Sequence, residues 1–170
     1  MKNIKKLLGR VIDELKDDSV IKESIKEPKA IPTLQKNCYK KLSPQLFVIY
    51  KEISYWEDST HGDWIDFKTM ELFWENTDNA LVNNVKASID NWENDIAKLF
   101  KESRISIFAG SEYTNERVYL VWFDSTEEPE VWVYDTNGES RFKDISCYLK
   151  AYLDDDLSTL NEQWHPSLKS

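Results

Sequence analysis

The sequence predicts an α+β protein. We expect N-terminal helices, a sheet of about four to six strands that is antiparallel or alternatively mixed, and a closing C-terminal helix. Residues 3–16 place an apolar side chain at each helical turn. Three β-rich runs, 104–111, 116–124 and 130–135, follow one another with short connections. Helical spacing returns in 142–153. Helices and strands that are segregated along the chain are typical of this fold class.

The N-terminal third is predicted to be helical. In residues 3–16 the apolar positions are Ile4, Leu7, Leu8, Val11, Ile12 and Leu15. A short helical piece is expected at 20–25, and another at 33–41 after Pro28 and Pro32. Two alternatives stay open for the first helix, since its apolar face can pack on its own domain or bind a partner.

A proline-started helix is predicted at 44–53, because Ser43 can cap it and Pro44 fits the first helical turn. A polar loop at 56–63 and a short strand at 64–67 follow. Thr69 is expected to cap a helix that runs to Asn76. A further helix should begin near Ser88. Its apolar face is expected to comprise Val85, Ile89, Trp92, Ile96, Leu99 and Phe100.

The second β-rich run has apolar residues on both faces, which indicates a central strand with Trp122 pointing inward. Residues 127–129 connect it to the third run as an antiparallel hairpin. The Asp135-Thr-Asn-Gly138 stretch has the chemistry of a tight turn.

Composition and charge limit the classes of function and partner that this protein can have. With 170 residues, of which 41% are hydrophobic, the chain is long enough for one domain with a hydrophobic core. We divide this domain into an N-terminal helical segment (1–30), a central core segment (42–153) and a tail (157–170). A net charge of −9 disfavours direct binding to nucleic acids and to anionic membranes. Residues 1–43 carry +5 and residues 44–170 carry −14. The acidic body attracts basic partners or simply maintains solubility.

Chemistry-bearing motifs are scarce. His61 and His165 have no second ligand at metal spacing, so no zinc site is predicted, and His61 is expected to be an exposed loop residue. Asp154, Asp155 and Asp156 are expected to form a solvated helix end. No catalytic residue, metal or cofactor is predicted, and the protein is not expected to be an enzyme. The N-terminus lacks the apolar core of a signal peptide and two cysteines make no disulfide framework, so a cytoplasmic protein is expected.

Three segments carry a family resemblance. They are the proline-started helix of 44–53, the short strand and helix of 63–72, and the strands and Phe-led helix of 104–153. In these segments, which lie within 42–153, the chain resembles the SUKH superfamily. That superfamily includes the yeast Smi/Knr cell-wall regulators and many bacterial immunity proteins. Many members carry an Asn-Gly or Gly-Gly pair after the first of these helices, where this chain has only Gly62.

The resemblance implies a binding protein without chemistry that neutralises a toxin domain, often a nuclease, encoded beside it. An acidic inhibitor would gain association rate against a basic nuclease. The alternative is an intracellular regulatory or scaffolding module, and a third possibility is an enzyme whose site the sequence does not reveal. The expected partner is one basic toxin domain, with no nucleic acid or membrane, and the protein is expected to be a monomer.

The predicted contact surface combines acids with aromatic residues. It comprises Trp56, Glu57, Asp58, Asp63 and Trp64 in the polar loop, and Glu112, Tyr113, Glu116, Glu127 and Glu128 in the strand connections. For Trp56 and Trp64 core packing is the stated alternative, because large aromatic side chains dominate protein cores.

Overall fold

The computed structural model describes residues 2–15, 24–25, 27–124 and 126–155. The helices are α1 (Lys2–Leu15), α2 (Pro44–Glu52), α3 (Phe67–Glu71), α4 (Ala80–Asn91), α5 (Ile96–Leu99) and α6 (Ile145–Leu153), with 3-10 turns at Leu72–Trp74 and Glu102–Arg104. The strands are β1 (Ala30–Pro32), β2 (Tyr39–Lys41), β3 (Asp63–Trp64), β4 (Ile105–Gly110), β5 (Arg117–Val121), β6 (Glu130–Asp135) and β7 (Gly138–Phe142).

The main sheet has the order β3-β4-β5-β6-β7, and every neighbouring pair is antiparallel. The predicted α+β class is therefore confirmed, and the sheet is not mixed. Because successive strands pair with each other, their connections alternate between two ends of the sheet. Residues 111–116 and the β6–β7 turn lie at one end, together with the loop that leads into β3. Residues 122–129 lie at the other.

Two layers of helices enclose this sheet. On one face Tyr50 of α2 packs against Phe108, and Phe142 packs against Tyr148 of α6, with ring centroids 6.3 and 5.6 Å apart. Helix α1 packs outside α2 and α6 and buries its apolar stripe, so of its two alternatives the structure shows core packing. On the other face Phe100 lies 5.9 Å from Trp132, centroid to centroid.

Several predicted elements are confirmed. Helix α1 covers residues 3–15 of the helix predicted at 3–16, and residue 16 is not described. Helix α2 begins after Ser43, whose Oγ accepts a hydrogen bond from the Leu46 N–H at 3.4 Å. The three β-rich runs form β4, β5 and β6, and Trp122 is buried. The predicted turn joins β6 to β7, where Gly138 adopts a φ of 116° that residues with a side chain rarely adopt.

The predicted helix at 33–41 is wrong. Thr33 Oγ1 donates to the Cys38 carbonyl at 2.9 Å, and Asn37 has a φ of 58°, so the chain turns there and enters β2. The resulting β1–β2 hairpin was missed. The predicted helical piece at 20–25 and the tail at 157–170 lie mostly or wholly outside the described residues.

Other boundaries shift because different residues cap the helices. Asp66, and not Thr69, caps α3 by accepting from the Thr69 N–H at 2.7 Å. Helix α4 begins after Asn79 rather than near Ser88. It ends at Asn91, with Trp92 as the extended residue that follows, so the predicted continuous face to Phe100 does not form.

The helix predicted at 142–153 also begins later than expected. Residues 138–142 form the edge strand β7, and Asp144 caps α6 by accepting from the Cys147 N–H at 2.9 Å. None of the helices in the described ranges is long and apolar enough to cross a membrane.

Candidate functional site

Two loops meet at one end of the sheet and form the strongest candidate site. They are residues 56–63 before β3 and residues 111–116 between β4 and β5. Asp63 pairs with Gly110 at the point where β4 ends. Gly62 has a φ of 77°, and a Cβ atom there would collide with the Gly110 carbonyl. Glycine at position 62 therefore allows the close approach of the two loops.

Backbone hydrogen bonds shape the first loop around Asp63. Its Oδ1 accepts from the Asp58 N–H at 2.9 Å, and its Oδ2 accepts from the Tyr55 hydroxyl at 2.8 Å. Asp58 itself has a φ of 45° and an exposed side chain. Asp63 thus holds the turn, while Asp58 faces solvent.

The second loop is fixed to α4. Ser111 Oγ accepts from the N–H groups of Tyr113 and Thr114 at 3.1 and 3.0 Å. The Asn84 side-chain amide donates to the carbonyls of Ser111 and Thr114 at 2.9 and 2.7 Å. These four bonds hold a loop whose tip, Tyr113, is 87% exposed.

The two loops together are strongly negative. They contain five carboxylates and no lysine or arginine, and we call their solvent-facing side the acidic surface: Glu57, Asp58, Asp63, Glu112, Tyr113 and Glu116. The neighbouring Glu112 charge raises the pKa of the Tyr113 hydroxyl, and Asp58 and Asp63 of the other loop add to the effect. Within the described ranges no lysine or arginine forms an ion pair with Asp58, Glu112 or Glu116.

The two predicted contact tryptophans are not part of this surface, and their assignment as contact residues is wrong. Trp56 is 0% exposed and Trp64 2%, and their rings pack edge to face with centroids 5.2 Å apart. Trp64 Nε1 donates to Thr60 Oγ1 at 2.8 Å. Burial of these large rings beneath the loop stabilises it, which is the stated alternative.

Glu127 and Glu128 do not join the acidic surface either, because residues 122–129 lie at the opposite end of the sheet. Glu128 Oε1 accepts from the Gln45 N–H at 3.0 Å, so this carboxylate supplements the cap of α2. Burial raises the pKa of Glu128. Glu127 is exposed nearby.

His61 was expected to be exposed, and this expectation is wrong. Its side chain is only 5% exposed, with Nδ1 2.7 Å from the Tyr148 hydroxyl and Nε2 3.7 Å from Asp135 Oδ2. Tyr148 in turn hydrogen-bonds Thr60 at 2.5 Å. Burial lowers the pKa of His61, which favours the neutral ring. This network ties the acidic surface to α6, and no spacing in the sequence indicates it.

Two buried ion pairs lie on the sheet face that Phe100 covers. Arg117 Nη2 donates to Asp95 Oδ2 at 2.7 Å, and Tyr119 also hydrogen-bonds that carboxylate at 2.9 Å. Arg141 Nε donates to Glu130 Oε2 at 2.6 Å. Neither pair can be predicted from residue spacing, because the two members of each pair are distant along the chain.

Within the described ranges, no group of three or more His, Cys, Asp or Glu side chains is arranged to hold a metal ion. Asp154 and Asp155 are exposed at the end of α6, whereas Asp156 and His165 lie outside the described residues. No protein-family model, no curated protein sequence and no solved structure matches this chain.

Proposed function

We propose that this protein is a cytoplasmic immunity protein that binds a basic toxin domain and blocks it by contact, without chemistry. A nuclease is the expected class of toxin. One observation carries the proposal: Tyr113 stands 87% exposed on a braced loop, surrounded by carboxylates of two loops that contain no basic residue.

Electrostatics supports this partner. A nuclease presents lysine and arginine side chains to phosphates, so its substrate groove is positively charged. A compact patch of carboxylates accelerates encounter with such a groove and disfavours acidic competitors. An inhibitor that occupies the groove would also exclude the nucleic acid.

The anchoring energy would come from Tyr113. Tyrosine is enriched among the residues that dominate binding energy, since it buries a large ring at a small entropic cost. Ser111 Oγ accepts and the Asn84 amide donates the hydrogen bonds that already hold the loop, which reduces the ordering cost of binding. The resemblance of 42–153 to the SUKH superfamily points to the same function, with a regulatory module as the alternative.

The test is a calorimetric titration of the protein with the C-terminal domain of a toxin encoded beside its gene, together with an assay of that toxin's activity. Nanomolar one-to-one binding that abolishes the activity is expected. Absence of both heat and protection would contradict the immunity function, and recovery of several weakly bound intracellular proteins would favour the regulatory alternative.

A matched pair of variants locates the surface. Tyr113→Ala should weaken toxin binding by about thirtyfold or more, as expected for an aromatic anchor. Tyr39→Ala is the control, because Tyr39 is 47% exposed on β2, away from the acidic surface. Equal loss of affinity in both variants, or in neither, would contradict docking at the acidic surface.

A further inference from the structure

A cleft of about 430 Å³ borders the acidic surface. Trp92 forms one wall at the end of α4, and the β6–β7 turn forms the opposite wall. Glu116 belongs to both the cleft and the acidic surface. Arg117 and Tyr134 line the cleft from β5 and β6. A partner docked over Tyr113 would therefore reach this cleft.

The lining of the cleft is negative despite Arg117. Asp95 is completely buried and holds the Arg117 guanidinium through Nε and Nη2, at 2.9 and 2.7 Å, so this pair is neutral overall. The carboxylates of Glu116 and Asp135 remain. No lysine of the described ranges lines the cleft.

Asp135 accepts a hydrogen bond from the described residues at only one of its two oxygens. Its side chain is only 9% exposed. Oδ1 accepts from the Asn137 N–H at 2.7 Å, whereas Oδ2 accepts no hydrogen bond from any described residue. His61 Nε2 lies 3.7 Å from Oδ2, and burial lowers the pKa of that histidine, which favours its neutral form, although Glu116 and Asp135 oppose the shift. Because Asp135 lines the cleft, a ligand with an N–H donor can supply the hydrogen bond that Oδ2 does not receive from the described residues.

The aromatic wall favours a cation as well. Trp92 is 51% exposed and meets Tyr134 edge to face, with centroids 6.4 Å apart, which leaves indole surface open. The Arg117 guanidinium already lies 4.3 Å from the centroid of Tyr134. Tryptophan is the strongest aromatic partner of a guanidinium.

We propose that this cleft receives an arginine side chain of the basic partner, stacked on Trp92 and donating to Asp135 Oδ2 and Glu116. This inference rests on the proposed function and specifies how the partner is recognised. An arginine fits better than a lysine, because its planar guanidinium can stack and donate in two directions at once.

The cleft can be tested without the toxin. The probe is the peptide acetyl-Gly-Arg-Gly-amide, followed by two-dimensional NMR of the 15N-labelled protein, and the control peptide carries the uncharged isostere citrulline. The arginine peptide should shift the Trp92 indole and Gly138 signals saturably in the millimolar range. Equal shifts with the citrulline peptide, stronger binding of a lysine peptide, or no shift would each overturn the proposal.

Variants separate this inference from the proposed function. Trp92→Ala and Asp135→Asn should each weaken peptide binding by about fivefold or more, whereas Leu99→Ala, at a residue 61% exposed on α5, should leave it unchanged. With the toxin domain, Trp92→Ala should also lose affinity. If Tyr113→Ala loses toxin binding and Trp92→Ala does not, the arginine cleft is wrong and the immunity function stands.

Discussion

The two ends of the sheet carry similar acidic residues and use them differently. At the end with residues 122–129, Asp124 pairs with Arg104 at 2.9 Å and Glu128 binds the Gln45 N–H. At the end with the acidic surface, Asp58 and Glu112 face solvent and have no basic partner among the described residues. The charge available for binding is therefore smaller than the charge counted in the sequence, because the fold uses part of it internally.

The largest expected effect of a substitution at either end of the sheet is on stability. Trp56→Ala at the acidic end and Trp122→Ala at the other should each lower the free energy of unfolding by about 3–5 kcal/mol, because both rings are buried. Tyr113→Ala should change it by less than about 0.5 kcal/mol. Urea denaturation measures all three. A stable Trp56→Ala protein would show that the tryptophan is not a core residue.

The pH dependence of stability should also differ between the ends. Burial raises the pKa of Glu130 to about 7, against the opposing effect of Arg141. Between its ordinary pKa near 4.5 and this value the unfolded chain releases a proton that the native protein keeps, so stability falls as pH rises. This fall in the free energy of unfolding should be on the order of 2–3 kcal/mol and should be absent from Glu130→Gln. Urea denaturation at several pH values between 4.5 and 7 measures it. An unchanged slope would contradict the raised pKa.

His61, at the acidic end, should make stability depend on pH in the opposite direction. Its pKa is lowered from 6.5, so the unfolded chain binds a proton first as the pH falls. The contribution of His61 to stability is therefore complete above pH 6.5 and is lost as the pH falls below that value. His61→Gln should flatten this loss in the same denaturation series, and Glu130→Gln should leave it unaffected.

Association rates provide a further test of the difference between the two ends of the sheet. Glu112→Lys should slow association with a basic partner by about tenfold at low salt, whereas Glu127→Lys at the other end should change it by less than about twofold. Stopped-flow mixing at two salt concentrations measures both rates. Equal effects would mean that overall charge, and not the acidic surface, steers the encounter.

The smallest expected effect is a loss of stability at the end with residues 122–129. Glu128→Ala should destabilise the protein by about 1 kcal/mol, because the Gln45 N–H in the first turn of α2 loses its acceptor. Glu127→Ala, one residue away and exposed, is the control and should be neutral in urea denaturation. Equal stability of the two variants would remove the capping role of Glu128.

The elements that can be predicted from the sequence are those that depend on neighbouring residues. Ser43 and Pro44 specify the start of α2, and the alternation in the run 116–124 predicts that Trp122 is buried. Both predictions hold because caps and periodicity depend on residues a few positions apart. The same approach missed β7, whose five residues end in a single apolar one, Phe142. Edge strands contain fewer apolar residues than central strands, so the alternation that predicts a strand is weak in their sequence.

The candidate site was only partly predictable. Local patterns are sufficient to predict the fold class, the acidic character of residues 44–170 and the position of Glu112, Tyr113 and Glu116 in a strand connection. Which of the acids face solvent together depends on how the chain folds. Glu128 binds a residue 83 positions away, and His61 meets Tyr148 across 87. Burial and pairing depend on such distant contacts, which composition and spacing do not specify.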